Sequence, residues 1–210
     1  MGGGATEPYV EYKLNDSGRI SEAALFGFEE IPSHFFYNTR TGSYGYNALE
    51  KIDFSGSPNL KSIGTYAFYY DESLKSIEIP DSVYEIANNA FARCTGATTI
   101  HLPLGCTIMD KAFAYCNAVE HLEITAGTLY GQCFQQCAGL KSVWIREECK
   151  NILSSTSTNN AQPFLGCPSD LVIYVERSSK RSNWNDTFAY LVSDGSSVAT
   201  VVYNQTTCPW

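Results

Sequence analysis

A single phenylalanine, with a fixed pattern around it, recurs along this chain. From Phe68 to Phe91, Phe113 and Phe134 the steps are 23, 22 and 21 residues. An aliphatic residue precedes each Phe, Cys stands three after it, an apolar residue six after, and aliphatics nine and eleven after. Ile63, Phe68, Leu74, Ile77 and Ile79 make one copy. Ile86, Phe91, Cys94, Ala97, Ile100 and Leu102 make the next, followed by Ile108, Phe113, Cys116, Val119, Leu122 and Ile124. Then come Leu129, Phe134, Cys137, Leu140, Val143 and Ile145. A first copy (Ile31, Phe36, Leu49, Ile52, Phe54) carries an insertion at TRTGSYGYN. A last one (Ile152, Phe164, Cys167, Ile173, Val175) carries one at SSTSTNNAQ.

Repeats of this length and aliphatic skeleton predict a leucine-rich solenoid. No unit is long enough to enclose a core alone. Stacked about 4.8 Å apart, equivalent residues superpose and the Phe, Cys and Ile/Leu columns become one apolar spine. Each unit ends in alternation, as in LKSIEI (74–79) and LKSVWI (140–145), which reads as a short strand with one face inward. Pro80 and Pro103 then end the strand at equivalent places. The AF segment between strands reads as a helical turn or short helix.

The units SIGTYAFYYDESLKSIEIPDSVYEI (62–86) and EIANNAFARCTGATTIHLP (85–103) resemble BspA-type leucine-rich repeats. That family occurs in bacterial surface and secreted proteins, some protist surface proteins and some phage tail-associated proteins. The resemblance covers about residues 29–176. It departs at Thr39 and Asp71, which stand where Cys is expected, at Ala97, which replaces Leu, and in the last unit, where Leu171 compensates one place late. It implies adhesion or protein binding at a cell surface or after secretion, and no catalysis. Residues 177–210 form the expected C-terminal cap. Within it SSKRSNWNDTFAYLV (178–192) reads as a short helix turning Trp184, Phe188 and Leu191 inward, and VATVVYNQ (198–205) as a final strand paired on the cap. At the other end, YVEYKLNDSGRISEAALFGF (9–28) reads as a capping hairpin around NDSG. Residues 1–8 read as a flexible tether or a cloning remnant, without the charged start and apolar run of a secretory signal.

Composition narrows the function. Net charge is −8, with 14 basic against 22 acidic residues. Nucleic-acid binding needs clustered Lys and Arg, which this chain lacks. No stretch approaches the ~20 apolar residues of a membrane span.

Four of the eight cysteines (Cys94, Cys116, Cys137, Cys167) occupy one column. They read as buried thiols packing like small apolar residues, with disulfides between rungs as the alternative. A linear ladder does not converge as a metal site does. Cys106, Cys149 and Cys208 fall off the column, where a surface disulfide is compatible with the sequence.

Registering the strands gives an outward column of Asp53, Glu78, His101, Glu123, Trp144 and Tyr174. Its neighbour is Lys51, Ser76, Thr99, His121, Ser142 and Val172. The first column is the candidate binding face for a protein or surface glycan. A solvated polar face is the plainer reading of His101 and His121. Tyr69, Tyr70 and Tyr115 follow the Phe column near the surface, as shields of the core or as contacts. No Gly-x-Ser-x-Gly, phosphate loop or His-Glu-x-x-His motif is present, and no cofactor is called for. The alternative to a binding module is an assembly domain of a larger surface or phage tail protein, engaging partners through its caps or inserted loops.

Overall fold

Each rung of the solenoid turns on its phenylalanine. In the computed structural model, which describes residues 7–38, 48–154, 161–191 and 196–210, Phe36, Phe68, Phe91, Phe113, Phe134 and Phe164 form one stack of rings. Neighbouring centroids lie 4.9–6.0 Å apart with planes within 18°. Such ring pairs add about 0.5–1.5 kcal/mol each beyond the area they bury.

A strand face forms one side. β1 (Tyr9–Leu14) and β2 (Ile20–Phe26) make an antiparallel hairpin. Its loop is held by the Asn15 side chain, which accepts from the N–H groups of Ser17 and Arg19. β2 begins the face and pairs in parallel with β4 (Lys51–Asp53). β6 (Ser76–Glu78) pairs with β8 (Thr99–His101). β10 (His121–Ile124), β12 (Ser142–Ile145), β14 (Val172–Val175) and β15 (Thr200–Tyr203) form a four-stranded parallel sheet. The face is thus interrupted twice, between β4 and β6 and between β8 and β10.

A second ladder is continuous. β3 (Glu30–Ile31), β5 (Ser62–Ile63), β7 (Glu85–Ile86), β9 (Thr107–Ile108), β11 (Thr128–Tyr130) and β13 (Asn151–Leu153) form a six-stranded parallel sheet. Ile31, Ile63, Ile86, Ile108, Leu129 and Ile152 point inward from it and are buried. Trp184 extends the ladder by a bridge to Ile152.

The expected helical turns do not form, and no helix occurs among the described residues. The reason lies two residues from the Phe, on both sides of Phe68, Phe91 and Phe113 and on one side of Phe36 and Phe134. His34, Tyr66, Asn89 and Lys111 before it, and Tyr70, Arg93, Tyr115 and Gln136 after it, have φ between 57° and 69°. Left-handed residues recurring every fourth position break the i→i−4 pattern and cost about 1 kcal/mol each. The freed N–H groups bond across rungs instead, as from Tyr66 to Asn88, Phe68 to Ala90 and Tyr70 to Ala92 at 2.7–3.1 Å.

The C-terminal helix is likewise absent. The Asn185 side chain accepts from the Thr187 N–H at 3.0 Å, a local turn that competes with helix. Trp184, Phe188 and Leu191 still point inward and are buried. The last segment does both: Val198 bridges Tyr190 of the cap in antiparallel fashion and the Ala199 N–H bonds the Ala189 carbonyl at 2.9 Å, while β15 continues the strand face beside β14.

The thiol column is real, and all eight cysteines are free. Cys94, Cys116, Cys137 and Cys167 donate to the carbonyls of Phe68, Phe91, Phe113 and Phe134, each one rung earlier, at 3.2–3.5 Å. Cys106 and Cys149 are core residues, not surface ones. They stand in the turns entering the short strands, equivalent to the buried Val83 and Leu60, so no surface disulfide joins them.

Candidate functional site

Alternation puts every second residue of the face strands outward, and parallel register aligns them from rung to rung. Ala24 lies beside Asp53, Glu78 beside His101, and Glu123 beside Trp144, which lies beside Tyr174. Lys51, Ser76, Thr99, His121 and Ser142 fill the neighbouring column.

The two interruptions open hollows in this face. One of about 440 Å³ is lined by Lys51, Asp53, Glu78, Asp81 and His101. Another of about 270 Å³ is lined by Glu78, Thr99, His101, Glu123 and Thr125. Glu78 and His101 are exposed and border both. Asp53 is held below the usual carboxyl range, first by the backbone N–H of Ser55, which it accepts at 2.8 Å.

Further along, Arg146 organises the surface. Its guanidinium bonds Glu123 and reaches Glu176 at 3.1 Å. It also lies 4.3 Å from the centre of the Trp144 ring. Burial works to raise the Glu176 carboxyl, but the Glu147 N–H and Arg146 outweigh it and hold it low.

Trp144 is where the sequence reading needs correction. Its side chain faces outward, yet only 5% of the residue is exposed. Residues 204–210 fold back over it. Asn204, at φ 66°, turns the chain at the end of β15. The Trp144 Nε1–H then donates to the Gln205 carbonyl at 3.0 Å. Trp210 stacks on His121 at 5.1 Å and stands edge-on to Trp144 at 6.5 Å. His121 also shares a 2.7 Å hydrogen bond with Ser142. Of the six candidate residues, Asp53, Glu78, His101 and Glu123 thus border open hollows, Tyr174 is half-buried and Trp144 is covered. The tail's part in the face went unread; a tryptophan seven residues beyond β15 was its one signal.

Among the described residues no three His, Cys, Asp or Glu side chains converge as metal ligands. Burial pushes the thiols of Cys106, Cys116 and Cys149 up to about 12, where they carry no reactive thiolate near neutrality. No described helix is long and apolar enough to cross a membrane.

No curated protein matches the chain. Among solved structures, the leucine-rich repeat protein of T. pallidum is similar at 18% identity, with a TM-score of 0.48, over 78% of this chain and 83% of that one. Pneumococcal vaccine antigen PcpA is similar at 19% identity with a TM-score of 0.54. That match covers 85% of this chain but only 46% of PcpA. A leucine-rich repeat protein from Bacteroides ovatus matches at 20% identity, with a TM-score of 0.37, over 88% of this chain and 56% of its own. The PcpA likeness supports the fold. The model of the BspA type leucine rich repeat region matches residues 29–162 in six copies, and the chain belongs to that family.

Proposed function

We propose that this protein is a non-catalytic binding module of the cell surface or secreted space, whose strand face takes an extended segment of a partner protein. The carrying observation is that the face already holds such a segment. Residues 204–210 lie on β10 and β12, with an indole on His121 and a backbone carbonyl on the Trp144 N–H. A partner strand would meet the same ring surface and then run over the hollows bordered by Asp53, Glu78, His101 and Glu123. Those hollows are acidic, so the matching segment carries basic residues. Tyr174 and Trp144, aromatic residues of the kind that dominate interface energetics, anchor the covered end.

The test is a surface-proteome pull-down and glycan array with wild type, Glu78→Lys/His101→Ala and Trp144→Ala/Tyr174→Ala. A protein captured by wild type and lost in either folded double variant supports the reading. Capture of glycans alone, or binding unchanged in both variants, overturns it.

One observation favours an assembly role as a second reading. β1 is an edge strand that exposes Tyr9, Tyr12 and Leu14, and open edges invite pairing with another chain. Tyr12→Lys would then abolish association seen by sedimentation, and no association in wild type would discard it. The inserted loops proposed for this role lie largely outside the described residues, at 39–47 and 155–160.

A further inference from the structure

The side of the solenoid that carries the phenylalanine turns has a surface of its own. Two residues after the Phe, on three successive rungs, stand Tyr70, Arg93 and Tyr115 at φ 69°, 66° and 63°. Gly166 occupies the equivalent place near the end of the stack at φ 75°. Glycine adopts this conformation freely, whereas tyrosine and arginine are strained in it. The chain nonetheless puts large side chains there, and they meet.

The Arg93 guanidinium carbon lies 5.1 Å from the Tyr70 ring centre and 4.3 Å from that of Tyr115. The two rings flank it and the Tyr69 hydroxyl takes one side-chain hydrogen bond from it, so the remaining N–H donors of the guanidinium form the rim. Tyr69 stands 5.2 Å from Tyr70, and Tyr66 5.1 Å from Tyr69. All of these side chains are half-buried.

No carboxylate among the described residues lies within ion-pair distance of Arg93, whereas Arg146 and Arg177 each face glutamates. Asp71, next to Tyr70 in sequence, points into the core. Glu72 is the exposed carboxylate of that turn, and Lys111, 4.0 Å from Asp110, adds a second cation on the rung of Tyr115. A half-desolvated guanidinium with no counter-ion favours an anion at its rim. The rims of the flanking rings carry the positive end of their quadrupoles. Tyrosine hydroxyls both donate and accept, which suits sugar hydroxyls.

We propose that Tyr69, Tyr70, Arg93 and Tyr115 form a binding site for an acidic polysaccharide. Arg93 holds a carboxylate or sulfate at its N–H rim, and the tyrosine hydroxyls bond the neighbouring sugar hydroxyls. An acidic peptide fits less well, since the row of side-chain hydroxyls offers no strand edge for its backbone.

The experiment is calorimetric titration of the full chain with oligogalacturonate, a heparin oligosaccharide, dextran and poly-glutamate at low and physiological salt. One or both acidic sugars should bind and dextran should not. Arg93→Gln should weaken binding at least ~10-fold, and Arg93→Lys should restore part of it, because a point charge lacks the planar rim. Arg93→Lys also serves if Arg93→Gln fails to fold by circular dichroism. Binding in carboxylate and not sulfate sugars, or the reverse, supports the proposal and names the anion. Overturning results are no acidic-sugar binding, equal binding of dextran, equal binding of poly-glutamate, or affinity unchanged in the folded Arg93 variants. Glu78→Lys, on the other side of the rungs, should leave this binding intact, so the strand-face reading stands or falls separately.

Discussion

The indole N–H of Trp144 donates to the backbone carbonyl of Gln205, 61 residues later in the chain. This bond acts with two backbone bonds, from the Gln205 N–H to the Val175 carbonyl at 3.0 Å and from the Asn204 N–H to the Arg177 carbonyl at 2.9 Å, to tie the tail to the face it covers. Truncation after Tyr203 should cost about 2–6 kcal/mol, the sum expected for three hydrogen bonds and an aromatic contact. It should also expose Trp144. A red-shifted tryptophan emission in a still-folded truncated protein, compared with a full-length Trp210→Phe chain, would show this. An unshifted spectrum from the truncated chain would mean that the tail does not shield Trp144 in solution.

The phenylalanine stack gives a positional rule. Phe91 is fully buried between two parallel rings, Phe68 and Phe113. Phe91→Ala should destabilise by about 3–5 kcal/mol. Phe36→Ala, next to a parallel ring on one side, should cost less. Urea denaturation of the two variants measures the difference, and equal losses would contradict the stack.

Asp71 stands in the thiol column with both carboxylate oxygens unpartnered. Burial raises its pKa well above the ordinary value. A folded-state pKa above the unfolded one means that the native state binds more protons across the interval between them. Its stabilising contribution is full below the ordinary carboxyl range and is lost as pH rises through the raised value. Asp71→Cys should remove this slope and place a donor where Cys94, Cys116 and Cys137 carry theirs. Melting temperatures of both proteins from pH 4 to pH 8 test the idea. Parallel curves would refute it.

Seven of the eight cysteines are buried, and Cys208 is exposed. Iodoacetamide should add one group to the native protein and eight to the unfolded one, since reactivity follows exposed thiolate. Intact mass spectrometry counts the adducts, and two or more on the native chain would show that the core opens to bring a buried thiol to solvent.

Much of this was legible because stacking makes a sequence period into a spatial column. The pairing of Ile77 with Ile100, and of Glu78 with His101, follows from the spacing alone. The turns were not legible. Ala-Phe between aliphatics looks helical, and most of the residues that forbid helix are tyrosine, arginine, lysine and glutamine, which carry no left-handed signature as glycine would; only His34 and Asn89 carry a weak one. Nor was the cover on Trp144, because no local pattern tells Gln205 and Trp210 to return to a face built 60 residues earlier. Cys106 and Cys149 misled for a related reason: they belong to a second inward column whose other members are leucine and valine.

The short-strand ladder is continuous through six strands, while the face is split into three pieces. A rod with an unbroken spine and a slatted front resists stretching but bends at its slots. Both slots are bordered by Glu78 and His101. Anything gripping those residues would therefore also set the curvature of the rod, and a pull on the rod would in turn widen or narrow the grip.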